Sequence, residues 1–157
     1  MMRLKVIAVG HLKEPFYRLA QEEYRKRLQR YARVTIIEVA DEPVPEREKE
    51  RTLVKEREGE RLLQKASNCL CVALDPGGKA LTSEELASWL GREMDAGRGE
   101  IAFFLGGTLG LSPSVLRRAD LSLSLSRLTF PHQLARVILL EQLYRAFRIL
   151  RGEPYHY

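Results

Sequence analysis

Side chains able to do chemistry are few in this sequence, and they concentrate in its last third. The run Ser126-Arg127-Leu128-Thr129-Phe130-Pro131-His132 ends in Pro-His directly before a long apolar stretch. Proline fixes its own backbone and lacks a donor, so this loop is stiff, with exposed amides able to wrap a planar group. Leu128 and Phe130 suit core packing equally well, and His132 suits the start of a helix. A second segment is Gly106-Gly107-Thr108-Leu109-Gly110-Leu111-Ser112-Pro113, whose glycines admit close approach of backbone to a ligand. It fits neither the phosphate-loop nor the dinucleotide pattern of spaced glycines, and a plain turn from strand to helix explains it as well. The third is Arg136, Arg145, Arg148 and Arg151 interleaved with Tyr144, Phe147, Tyr155, His156 and Tyr157. Cations meet phosphates and flat rings meet unstacked bases, so the mixture suits RNA.

Other chemistries lack support. There is no Ser/His/Asp or Cys/His nucleophile pattern, no H-E-x-x-H and no carboxylate metal cluster. Cys69 and Cys71 are two apart on one predicted strand, hence on one face, and read as core or half-buried thiols rather than a disulfide or zinc site. His11, just past the first strand, reads as a surface loop residue whose strand end also faces a site.

The elements that must position these residues follow from periodicity. Strands are expected at Arg3 to Val9, Val34 to Val39, Cys69 to Leu74, Ile101 to Leu105 and Leu121 to Ser126. Pro15 suits the first turn of a helix to about Tyr31, with Phe16, Leu19, Ala20, Tyr24 and Leu28 at helical spacing. Glu46 to Lys65 alternates acids and bases as a solvent-laced helix with Leu53, Val54, Leu62 and Leu63 as its core contacts. Asp75-Pro76-Gly77-Gly78 reads as a turn, and Thr82 with Glu85 as a capping box for a helix to about Asp95. Ser112-Pro113 opens a short helix to about Ala119, and a last helix spans about Gln133 to Leu150. That last helix is apolar almost all round, which a homodimer contact would cover. The strict alternation of strand and helix predicts an α/β fold, a mostly parallel sheet with helices on both faces. Ligands in such folds sit beyond the carboxyl ends of the strands, which points to the loops after Leu74, Leu105 and Ser126.

Composition sets the outer bounds. With 157 residues, 45% apolar and 30% charged, the chain is expected to form one ordinary domain over residues 1–157. No apolar run approaches a membrane span, and the opening residues lack a signal peptide's features, so a cytoplasmic location is expected. The net charge of +5 is unevenly spread. Residues 1–33 carry nine bases against three acids and residues 111–157 seven against three, while residues 34–110 carry ten against fifteen. Basicity at the two ends suggests a polyanion-facing surface; solvated helix faces explain it equally well.

Three segments stand out together: Leu74-Asp75-x-x-Gly78-Lys79-x-x-Thr82-Ser83-Glu84-Glu85, Leu105-Gly106-Gly107-x-x-Gly110-Leu111-Ser112, and Leu123 to Val137 with Glu141-Gln142-Leu143-Tyr144-Arg145-Ala146 and Gly152-Glu153-Pro154-Tyr155-His156. In combination they resemble the bacterial RlmH family. The order and spacing of these segments carry the resemblance, which covers nearly the whole chain. It implies a SPOUT-type fold with a C-terminal trefoil knot, a feature too rare to propose from periodicity. It also implies methylation of N3 of a pseudouridine in the helix 69 loop of 23S ribosomal RNA on the assembled ribosome, by a homodimer using S-adenosyl-L-methionine (SAM). Carried over by position, the cofactor contacts are Leu74, Gly106, Leu125, Ser126, Arg127, Leu128, Thr129 and Phe130. His156 and His132 become candidates for proton removal, and Arg145 and Arg136 for stabilising negative charge or binding phosphate. Where many relatives continue after Pro-Tyr-His with Lys or Arg, this chain has Tyr157. The rival reading is a non-catalytic RNA- or ribosome-binding α/β module, which would bind RNA without SAM.

Overall fold

The computed structural model describes residues 1–155 and contains five strands and five helices in alternation. They are β1 (Met2–Val9), α1 (Pro15–Leu28), β2 (Ala32–Val39), α2 (Glu48–Lys65), β3 (Leu70–Ala80), α3 (Ser83–Asp95), β4 (Glu100–Leu105), α4 (Pro113–Arg118), β5 (Leu121–Ser124) and α5 (His132–Leu150). The strands form one sheet in the order β2-β1-β4-β3-β5, and every pairing is parallel. Parallel strands require crossovers, and each crossover here carries a helix. The expected α/β architecture is therefore what forms.

Alternate side chains of the strands serve two separate cores. Leu4, Val6, Val72, Ile101 and Phe103 meet α1, α3 and α5 on one face, whereas Ile7, Val9, Cys71, Ala73 and Phe104 meet α2 and α4 on the other. The capping box of α3 forms as expected: Glu85 N–H donates to Thr82 Oγ1 at 3.1 Å, and Thr82 N–H to Glu85 Oε1 at 2.9 Å. Pro15 and Pro113 occupy the first turns of α1 and α4. Cys69 and Cys71 share one face as free thiols, and burial pushes the Cys71 thiol up to about 11.

Three local expectations need correction. Phe16 and Leu19 of α1 are 61% and 72% exposed, so the helix docks chiefly through Leu28 with Tyr24 half-buried. Leu53 of α2 also faces outward; Val54, Glu58, Gly59 and Leu62 are its buried residues. Gly59 is there because α4 crosses closely: a Cβ at that position would stand 2.4 Å from Ser112 Oγ. Finally, α5 finds its cover within the chain, lying between α1 and α3, so its all-round apolarity does not require a partner.

Candidate functional site

The carboxyl edge of the sheet builds two adjacent depressions. The first lies beyond β3 and β5. Leu123 pairs with both Leu74 and Lys79, so residues 75–78 loop out of the ladder between them instead of ending the strand. Gly78 allows this loop to pass against β5, where a Cβ would stand 2.7 Å from the Ser122 backbone. Opposite, the chain leaving β5 ties itself into a rigid curve: Ser124 Oγ donates to the Ser126 carbonyl at 3.0 Å, and Leu128 N–H donates to Ser126 Oγ at 3.0 Å. Between the two loops opens a cleft of about 100 Å³ lined by Leu74, Pro76, Leu123, Leu125, Leu128 and Phe130. Asp75, Ser126 and Thr129 provide its polar edge.

Six of the eight expected cofactor contacts, Leu74, Leu125, Ser126, Leu128, Thr129 and Phe130, thus meet in one place. Gly106 and Arg127 lie outside that lining. Gly106 closes β4 against Gly110, where a Cβ would stand 2.5 Å from the Gly110 backbone, and Arg127 is exposed on the loop's outer side. Apolar walls with a few polar groups on the rim suit a nucleoside carrying an alkyl chain, and a carboxylate at Asp75 suits a cationic one. The residues present therefore fit SAM. Leu128 is 72% exposed at the rim, an apolar side chain awaiting cover.

The second depression lies where β1 and β4 run side by side. Their connections leave in opposite directions, β1 to β2 on one side and β4 to β5 on the other, which makes this the topological switch point of the sheet. Val9, Gly10, His11 and Lys13 line it from β1, Asp41 and Glu42 from β2, and Gly107, Thr108 and Leu109 from β4. His132 and Gln133 close it from the start of α5, and Glu58 from α2. The loop after β5 therefore divides the two depressions, showing Phe130 to one and His132 to the other. Burial, with the neighbouring Arg136 guanidinium second, holds the His132 imidazole below its usual value, so it is neutral at physiological pH and able to accept a proton. Burial raises the Glu58 carboxyl, which receives one hydrogen bond, from Glu42 N–H to Oε2 at 3.0 Å.

The cationic candidates separate into distinct roles. Arg145 is held against Glu141, its Nε donating to Oε1 at 3.0 Å, and its guanidinium lies 4.8 Å from the centre of the Tyr155 ring. Tyr155 donates to the same Glu141 oxygen at 3.2 Å, and burial with that carboxylate pushes its phenol up to about 12. Arg148 fastens the tail by donating to Glu153 at 2.7 Å and to the Pro154 carbonyl at 2.9 Å. His156, the other candidate base, and Tyr157 lie outside the described residues. Arg136 is not a phosphate ligand: only 2% of its side chain is exposed, and it donates to Glu38 at 2.5 Å, Gln21 at 3.2 Å and the Gly10 carbonyl at 3.2 Å. The interleaved aromatics are likewise occupied, since Tyr31 stacks on Phe147 at 5.5 Å and Tyr31, Tyr144 and Phe147 are buried.

Sequence reasoning missed Glu58. Its signal was its spacing, because Val54, Glu58 and Leu62 stand four residues apart on the inward stripe of α2. Dense alternation of charge around it hid that stripe. Among the described residues no group of three or more His, Cys, Asp or Glu is placed to hold a metal, and no helix is long and apolar enough to cross a membrane.

The parallel sheet has its apolar cleft between the loops after β3 and β5, and residues 2–156 match the family model described as "Predicted SPOUT methyltransferase", so the chain belongs to that family. Within it the chain is a member of the group called ribosomal RNA large subunit methyltransferase H. The protein of that name from Clostridium beijerinckii is 51% identical, with 99% of each chain covered, and that from Bacillus pumilus is 49% identical at the same coverage. A probable methylase family protein from Haemophilus influenzae shares the fold at a TM-score of 0.51 and 15% identity, covering 99% of this chain and 70% of its own.

Proposed function

We propose that the protein methylates N3 of a pseudouridine in the helix 69 loop of 23S ribosomal RNA, presented by the assembled ribosome in the cytoplasm. The observation that carries this reading is the convergence of Leu74, Leu125, Ser126, Leu128, Thr129 and Phe130 on one cleft beside a second, polar cavity. SAM, held in the first, supplies an electrophilic methyl group on a sulfonium. Leu74, Leu125 and Phe130 would exclude water from it, the amides and hydroxyls of residues 126–129 would hold its polar groups, and Asp75 would face its positive charge.

The chain's own part is orientation and proton handling. An N3 nitrogen must lose its proton to become nucleophilic, and the neutral His132, at the wall between the two depressions, is placed to accept it. His156 is the second candidate, following in sequence the residues Glu153 and Pro154 to which Arg148 donates. Arg145 would sit against negative charge developing on the base. The active form is a homodimer in which a partner covers Leu128 and the apolar pair Phe16 and Leu19, all exposed in the single chain. The C-terminal segment forms the trefoil knot. Arg25 and Arg30, both on the surface, contribute to ribosome binding, whereas Arg18 is tied to the Leu12 and Lys13 carbonyls and holds the loop after β1.

Isothermal titration with SAM tests the base of the proposal, and mass spectrometry of the helix 69 loop after incubating 70S ribosomes with protein and labelled SAM tests the rest. One methyl group on the pseudouridine is expected. Ribosome binding without any SAM binding would replace this reading by a non-catalytic RNA-binding module.

A further inference from the structure

The cavity at the switch point contains an unusual atom. Glu58 is only 4% exposed, and while its Oε2 is hydrogen-bonded to Glu42 N–H, its Oε1 is buried with no hydrogen-bond partner. An acceptor in that state carries an unmet demand for a donor. Gly107 brings no side chain into the space beside it, where a Cβ would stand 3.5 Å from Oε1. The cavity is about 80 Å³, against roughly 10–15 Å³ needed for one water, so it has room for a small ring. Asp41 and Glu42 join Glu58 in its lining, and Lys13 and two histidines do not outweigh them, so the surroundings disfavour a phosphate and favour a ligand that presents N–H groups.

The proposed reaction supplies such a ligand. Pseudouridine is joined to its sugar through carbon, which leaves N1–H free at an edge where uridine has only C–H. We infer that the cavity receives the acceptor base and that Glu58 Oε1 accepts its N1–H, making Glu58 a specificity-determining residue for pseudouridine over uridine. The inference rests on the methyl transfer proposed above. The glycine turn, closed by a 3.0 Å bond from Gly110 N–H to the Gly107 carbonyl, borders the cavity beside the carboxylate. Uridine would present a C–H there and leave the buried oxygen unpaired, which is how a built polar site rejects an analogue that lacks one donor. Position is compatible with the assignment: Phe130 lines the cofactor cleft and His132, two residues on, lines the cavity, so a base whose N1 edge enters the cavity leaves its N3 edge at the mouth beside the cleft.

Glu58→Gln tests this, because the amide keeps an oxygen for Glu42 N–H and turns the free atom from acceptor into donor. Methylation is to be measured on ribosomes bearing pseudouridine or uridine at the target position, with SAM affinity and thermal unfolding measured alongside. Wild-type protein is expected to favour pseudouridine. In Glu58→Gln the kcat/KM for pseudouridine should fall about 10- to 100-fold while that for uridine and the SAM affinity hold, collapsing the ratio. Glu58→Asp, which keeps the acceptor on a shorter stem, should retain part of the preference. Equal change for both substrates, no change for either, or a wild-type protein indifferent between them would overturn the assignment. Wild-type protein that methylates neither would instead overturn the methyl-transfer reading, and this inference with it.

Discussion

The Arg136–Glu38 pair should respond very differently depending on which partner is removed. Arg136 is 2% exposed and Glu38 39% exposed, so the pair is one buried cation capped by a carboxylate that reaches water. In Glu38→Ala the guanidinium keeps Gln21 and the Gly10 carbonyl, both at 3.2 Å, but its charge is left uncompensated. Stranding a buried charge costs roughly 3–5 kcal/mol, and the partly open mouth of this site places the expected loss near the lower end, about 3 kcal/mol. In Arg136→Met the carboxylate and Gln21 turn to solvent, an apolar chain fills the slot, and only the Gly10 carbonyl loses a partner, for about 1 kcal/mol. The double variant should cost no more than Arg136→Met alone, which gives a coupling of about 3 kcal/mol. For a chain of this size each kcal/mol lowers Tm by about 2–4 °C, so the expected losses are about 6–12 °C and about 2–4 °C. Urea unfolding followed by fluorescence of Trp89, the single tryptophan, measures both. An Arg136→Met variant less stable than Glu38→Ala, or a double variant whose loss equals the sum of the two, would refute the reasoning.

Gly59→Ala should destabilise by about 1–3 kcal/mol in thermal unfolding, since its new Cβ would stand 2.4 Å from Ser112 Oγ and 3.1 Å from Val115; a neutral result would mean that α2 and α4 separate freely. Glu58→Gln should raise stability near neutral pH. The folded protein holds the Glu58 proton more tightly than the unfolded chain does, so stability is lost as pH rises through the raised folded value and the carboxyl ionises. The advantage of the amide should therefore shrink as pH falls below that value, and a gain that grows in acid would contradict the raised carboxyl. Phe130→Ala should weaken SAM binding about 10-fold or more in calorimetry with the fold intact, because it removes an apolar wall of the cleft from a side chain that is not fully buried; unchanged affinity would place the cofactor elsewhere.

Element order was legible because it is written in local signals. Pro15, the Thr82–Glu85 box and Ser112-Pro113 mark helix starts, and the β-branched and aromatic runs of β1 and β4 mark buried strands. Two of the three loops named from strand ends did converge, on the cleft beyond β3 and β5. The third, Gly106 to Gly110, turned instead toward the switch point, and no local rule distinguishes those outcomes, because strand order decides them and order depends on pairings between distant residues. Arg136 shows the same limit on a single side chain. Its neighbours in sequence suggested a basic, RNA-facing helix, yet its partners Gly10, Gln21 and Glu38 come from three elements at the other end of the chain. Glu58 was hidden for the opposite reason: its neighbours made it one charge among many, and only the packing of α2 against the glycine turn singles it out. Both residues are charged groups placed inside the protein by tertiary contacts. Arg136 has found three acceptors and holds the framework together, whereas Glu58 keeps one oxygen without a donor. A satisfied buried charge serves the fold, whereas an unsatisfied oxygen at the switch point of a parallel sheet has room for a donor, which the proposal above assigns to the acceptor base.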